Sequence, residues 1–251
     1  MGYVKRELAV KAIKRMQQFE SQLNDIYKEN GLEFRTNKGR RNAILSQAQE
    51  VFFAEELNNA GEIAIVDGRS GYPDIVVNSR HRELECKLTS GSGGSWMLQT
   101  DYATLEKKGS LDFLYVLVDE DFEKFAVLHF SSLNKDHFHV PASGSRGRAQ
   151  MNKAAAMDSC EVVVGSVKLK NEMFAKQYDD EFTECMNQFL DKCHSTIERI
   201  EETTAPKKKK TLEDGKYNMI SRFSKKLQKI SDKRTYWMDA PLQFSIELEK
   251  V

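Results

Sequence analysis

Near the start of the chain Leu8, Ala12, Met16, Leu23 and Ile26 recur at the spacing of one helix face, which predicts a long helix over residues 4–30. The basic stretch "FRTNKGRRN" (34–42) reads as a loop, and a second helix follows from about Ala43 to Asn59, stopping before Gly61. The period then changes from helical to alternating. "EIAIVDG", "YPDIVV" and "RELECKL" read as three successive strands separated by glycine-rich and polar turns. Residues 90–95 are a loop and residues 97–108 a helix by the same criteria. "LDFLYVLVD" (111–119) is apolar at nearly every position, as a strand covered on both faces is, and "EKFAVLHF" (123–130) follows as its hairpin partner. Residues 134–158 read as mostly loop, "CEVVVGSVKL" (160–169) as a strand and residues 179–201 as a helix. The linker "TTAPKKKKTLEDGK" and a last helix over 217–230 come after it. No segment repeats. The order helix, three strands, helix, strand predicts an α/β fold, a mixed β-sheet with helices on both sides.

Two of the short strands carry acid where a buried strand normally excludes it. Alternation puts Glu85 and Lys87 on one face of their strand, while Leu84, Cys86 and Leu88 point the other way, into a core. Asp74, on the preceding strand, shares a face with Val76. A hairpin turning over residues 78–81 sets Asp74 directly opposite Glu85, roughly 4.5–5.5 Å away. An unpaired carboxylate in a dry interior costs several kcal/mol or shifts its pKa until it is neutral, so such a pair calls for a compensating charge. Mg²⁺ takes one or two carboxylates and completes its shell with water, which suits this arrangement. Lys87 beside such an ion would orient a water or stabilise charge developing on a phosphate. Pro73 cannot donate to the ladder and marks the first residues of its strand or an irregular edge.

Composition narrows the setting. The chain has 251 residues, 40% hydrophobic and 30% charged, which suits one large folded domain or one domain with an appendage. Its longest apolar runs, such as Phe113–Val118, are far too short to cross a bilayer, and the N-terminus has no secretory pattern, so no membrane partner is expected. Arg6 stands where a myristoylation signal carries Ser or Thr. Four scattered cysteines without a CxxC pair exclude a zinc or disulfide framework and predict reduced thiols in a cytoplasm.

The net charge is zero, but its distribution is uneven. Residues 171–202 hold nine acidic and three basic residues, and residues 203–234 hold eleven basic and three acidic. Such a swing fits two readings, a face that meets a polyanion and a solvated helix beside a flexible lysine linker. On the C-terminal helix Ile220, Phe223, Leu227 and Ile230 make one stripe, while Lys225, Lys226 and Lys229 belong to a basic one. Arg35, Lys38, Arg40 and Arg41 precede the second helix, and Arg146 and Arg148 sit in a glycine-serine segment; all are candidate phosphate contacts. His137 and His139 read as a strand-end pair, and Trp96 and Trp237 as core or interface anchors.

Pro73-Asp74 followed by "ELECK" at 83–87 resembles the PD-(D/E)xK nuclease superfamily, whose fold is that of type II restriction endonucleases and Holliday-junction resolvases. The resemblance implies that Asp74 and Glu85 hold Mg²⁺ and that Lys87 assists the attacking water. That superfamily often places a further Glu on the helix before the first core strand. "QEVFFAEELNNAGEIAIV" (49–66) offers Glu50, with Phe53, Ala54 and Leu57 on its side of the helix, ahead of Glu55, which lies on the other face. Gln99 and Tyr102 are similar to a Gln-x-x-x-Tyr element of exonuclease members, one residue short. The match covers about residues 43–130. It implies a restriction-endonuclease-like core over 1–175, with a helical, basic extension over 176–251 for DNA binding or dimerisation. The implied activity is Mg²⁺-dependent cleavage of double-stranded DNA at a specific site by a homodimer, as in a type II restriction endonuclease. The alternatives are a repair or recombination nuclease that recognises structure, and a DNA-binding protein that no longer cuts.

Overall fold

The first helix, α1 (Arg6–Glu29), buries Leu8, Ala12 and Met16 as its spacing predicts, while Ile26 near its end is exposed. The computed structural model describes residues 2–69, 71–91, 96–141, 147–239 and 244–251. Arg146 and the side chain of Trp237 lie outside the described residues. The second helix, α2 (Lys38–Asn59), begins earlier than the expected Ala43. Asn37 accounts for the early start: its side chain accepts the Arg40 N–H at 3.0 Å, satisfying a donor of the first turn. Most of the supposed basic loop is therefore helix.

The order continues with β1 (Ala64–Val66), β2 (Ile75–Val77), β3 (Arg82–Ser90), β4 (Gln99–Asp101), α3 (Tyr102–Lys108), β5 (Leu111–Val118), β6 (Lys124–Leu133) and β7 (Arg148–Gln150). A short α4 (Lys153–Ala156) precedes β8 (Cys160–Val164) and β9 (Ser166–Leu169). Then come α5 (Lys170–Glu201), α6 (Pro206–Asp239), β10 (Phe244–Glu247) and β11 (Glu249–Lys250). The principal sheet runs β1-β2-β3-β5-β6-β11, with β8 also paired to β6. It is mixed: β3 and β5 are parallel, and the other pairs are antiparallel. The expected helix over 97–108 is half strand, because β4 pairs with β7 and Asp101 caps α3 by accepting the Ala103 N–H at 2.9 Å.

Every residue of β5 is buried, as its unbroken apolar run predicts. Its Leu114, Val116 and Val118 face a core built with Ile13 and Met16 of α1 and Phe53 and Leu57 of α2. The β4–β7 ribbon lies over the opposite face, where the Tyr115 hydroxyl donates to the Gln99 carbonyl at 3.0 Å and Phe113 packs on Phe138. The expected strand over 160–169 is broken at Gly165, which has φ +84° and joins β8 to β9; β9 pairs with β10.

The chain divides into two compact units: Met1–Lys168 with Ser245–Val251, and Leu169–Phe244. The first contains the sheet. The second is a pair of long helices, α5 and α6, in which Phe189 packs on Phe223 and Arg234 pairs with Asp179, so the helices run antiparallel. The expected linker is helical from Pro206 onward, because proline suits the first turn, where its missing N–H is not needed. Among the described residues no helix is long and apolar enough to cross a membrane.

Candidate active site

The β2–β3 hairpin has the register that the alternation predicts. Ile75 pairs with Leu84, Val76 with Glu83 and Val77 with Arg82, around a turn in which His81 adopts a left-handed conformation. Continued by one residue, the register sets Asp74 across from Glu85. The ladder stops at Ile75, leaving the Cys86 N–H without a strand partner on that side. Asp74 Oδ2 accepts it at 2.7 Å, which fixes the carboxylate against β3.

Glu85 is 6% exposed, held on a sheet face next to Phe113 of the parallel strand β5. Its Oε1 accepts from Lys87 Nζ at 2.5 Å, and its Oε2 is buried with no partner among the described residues. Burial pushes the Glu85 and Asp74 pKa values up, against the lowering effect of the Lys87 charge. Burial works against the Lys87 ammonium too, but Glu85 and Asp74 outweigh it and raise its pKa. Lys87 is therefore cationic at any ordinary pH.

Glu50 comes to the same place from α2. Its pKa is raised from 4.5 to about 7 by burial first, then by the charges of Asp74 and Glu85, with Lys87 opposing. Glu55 is exposed and pairs with Arg15 on α1, so Glu50 is the helix carboxylate that meets the strand residues. A cavity of about 370 Å³ is lined by Glu50, Asp74, Lys87 and Arg148, together with Asn42 and Ser46. Glu85 does not line it and reaches it through Lys87. Asn42 and Ser46 did not stand out in the sequence. They lie two turns and one turn before Glu50 on α2, so helical spacing counted back from Glu50 would have found them.

Three carboxylates share this site with one ammonium, Lys87. The excess negative charge, the orphaned Glu85 Oε2 and the hard oxygen donors fit a divalent cation such as Mg²⁺. Among the described residues no group of three or more His, Cys, Asp or Glu side chains is arranged to hold a metal.

The predicted phosphate contacts divide sharply. Arg148, at the start of β7, is exposed, lines the cavity and has no side-chain partner among the described residues. Arg40 is likewise exposed and unpaired among them, one residue after Gly39 in the cavity wall. Lys38 is tied to Glu120 at the surface. Arg35 is committed to the buried Glu20 by two bonds of 2.8 and 2.7 Å. Arg41 departs most from expectation. It is fully buried, donates to the Glu120 carbonyl at 2.6 Å and to Ser90 Oγ at 2.9 Å, and has no access to a phosphate. Lys225, Lys226 and Lys229 are exposed on α6 in the other unit.

Gln99 sits on β4 and lines a neighbouring cavity, while Tyr102 opens α3 and lines neither. His137 is a turn cap whose Nδ1 accepts the Asn134 N–H at 3.1 Å. Comparison of the chain with protein-family models, with curated proteins and with solved structures finds no match.

Proposed function

We propose that this protein is a Mg²⁺-dependent endodeoxyribonuclease of the PD-(D/E)xK kind, acting on double-stranded DNA as a type II restriction endonuclease does, with one site per subunit of a homodimer. The observation that carries the reading is the meeting of Glu50, Asp74 and Lys87 at one cavity, with Arg148 on its wall and Glu85 behind Lys87, bonded to it. Asp74 and Glu85 would hold the ion. Bound there, Mg²⁺ supplies positive charge to a phosphate oxygen and lowers the pKa of water.

The chain's own residues supply the rest. Lys87, anchored on Glu85 Oε1, brings a permanent positive charge to the cavity wall, where it stabilises a phosphate gaining negative charge. Glu50, at the cavity wall beside Asp74, is the carboxylate placed to take a proton from an attacking water. Arg148 and Arg40 are cations left free to hold the DNA backbone.

Incubation of long duplex DNA with wild type and Asp74→Ala in Mg²⁺ and in Ca²⁺ tests this. Wild type should give discrete fragments in Mg²⁺ and bind without cutting in Ca²⁺, whose looser shell positions water poorly. Asp74→Ala should bind nearly as well, because affinity comes mainly from basic residues, and should not cut. Full cleavage by Asp74→Ala would remove the carboxylate pair from the mechanism.

A further inference from the structure

A second cavity, about 630 Å³, adjoins the carboxylate cavity and shares Asn42, Lys87, Leu88 and Arg148 with it. Its volume lies within the range of small-molecule sites, roughly 300–1,000 Å³. The two walls that meet at Lys87 and Arg148 differ in chemistry. The first cavity is acidic. The second is lined by an amide, hydroxyls, a thioether and one carboxylate, namely Gln99, Thr89, Ser90, Thr100, Met97 and Asp101, the last engaged as the cap of α3.

Several of these groups are unspent. Asn42 and Ser90 are bonded to each other at 2.8 Å. The side chains of Gln99 and Thr89, both half-buried, have no hydrogen-bond partner among the described residues, and neither has Arg148. A half-withdrawn amide without a partner is unfavourable unless water or a ligand completes it. Gln99 offers a donor and an acceptor side by side, the pair that matches a heterocycle edge. Met97 is 61% exposed, an apolar, polarisable side chain of the kind that contacts aromatic rings. Arg148 and Lys87, at the seam between the cavities, are cations placed for a phosphate.

We propose that the second cavity is a subsite for one unstacked nucleotide, with its phosphate at the Arg148–Lys87 seam and its base between Met97 and Gln99. The proposal rests on reading the neighbouring carboxylates as a phosphodiester-cleaving site. It adds that the nucleotide beside the cleaved bond leaves the base stack. Duplexes in which unstacking is easy at that position, such as those with a mismatch there, are then bound more tightly than a perfect duplex.

The test uses the full chain in Ca²⁺ with oligonucleotides carrying 2-aminopurine at successive positions, whose fluorescence rises when that base unstacks. One position should brighten severalfold, and a duplex mismatched at that position should bind more tightly than the perfect duplex. Gln99→Ala and Met97→Ala should each weaken binding by about tenfold and abolish the signal, the scale of removing one side chain from a bound base. Their thermal midpoints should match wild type, which excludes misfolding as the cause. Binding, read by anisotropy, with no brightening at any position overturns the subsite. So does an unchanged signal in both variants. Cleavage in Mg²⁺ without the signal defeats only the subsite, and the signal without cleavage defeats only the hydrolytic reading.

Discussion

Asp112 and Glu85 face each other's strands in one sheet and are buried almost equally, yet their surroundings differ in kind. Asp112 accepts from the Tyr3 hydroxyl at 2.9 Å, Arg82 Nε at 2.8 Å and the Ser132 N–H at 2.8 Å. Glu20 is closed off in the same way by Arg35. Such carboxylates are structural: their charge is spent inside the fold. Glu85 keeps one oxygen without a partner among the described residues, and Asp74 and Glu85 lie close enough to help burial raise the pKa of Glu50. Alternation and hairpin register made Asp74, Glu85 and Lys87 legible in the sequence. Nothing local revealed that Arg35 and Arg41 were absorbed by partners 15 to 79 residues away. The crowded carboxylates give a pH signature. Between the ordinary value of 4.5 and about 7, Glu50 holds more proton in the folded chain than in the unfolded one, so stability falls as pH rises through that window. In metal-free buffer, wild type should lose stability relative to Glu50→Gln between pH 4.5 and 7.5, and Mg²⁺ should reduce the loss. Urea denaturation midpoints of both proteins across that range check it, and parallel curves would show that Glu50 is not crowded.

Elements whose signal is local match their sequence patterns: α1, the β2–β3 hairpin and β5. The departures have separate causes. α2 begins early because one capping residue, Asn37, outweighs a run of basic side chains. β4 is three residues long and exists through its pairing with β7, a partner far along the chain, so its pattern carries too little periodicity to be read. The break between β8 and β9 shows how much one residue decides. Gly165 has φ +84°, and a Cβ there would stand 2.5 Å from the Glu247 carbonyl oxygen and 2.9 Å from Ala126 Cβ. Backbone strain and the clash act together, and a non-glycine residue in such a conformation costs about 1–3 kcal/mol. For a chain of this size that lowers the melting temperature by roughly 3–10 °C. Calorimetry of Gly165→Ala measures it. A melting temperature equal to that of wild type would mean that the β8–β9 corner relaxes freely.

At the scale of the whole molecule, the first unit runs to Lys168 and takes the last residues, Ser245–Val251, as well. β11 returns to pair with β6, and such non-local pairing leaves no local mark in the sequence. The second unit concentrates charge by helix. α5 carries eight acidic and four basic residues, and α6 eleven basic and four acidic. Lys225, Lys226 and Lys229 are exposed and form no ion pair among the described residues, so their charge is not consumed within the hairpin. Under the proposed function these lysines touch DNA phosphates. Each neutralised phosphate releases condensed counterions, so changing all three lysines to Ala should weaken binding to every sequence alike. The log–log salt slope should flatten by roughly 0.9 for each phosphate no longer neutralised. Exposed helix positions of this kind alter stability by no more than about 0.5 kcal/mol, so the variant should melt with wild type. Titration of one labelled duplex at several salt concentrations decides the matter. A slope that does not change would leave α6 as a solvated basic face, with phosphate binding carried by Arg40 and Arg148 in the other unit.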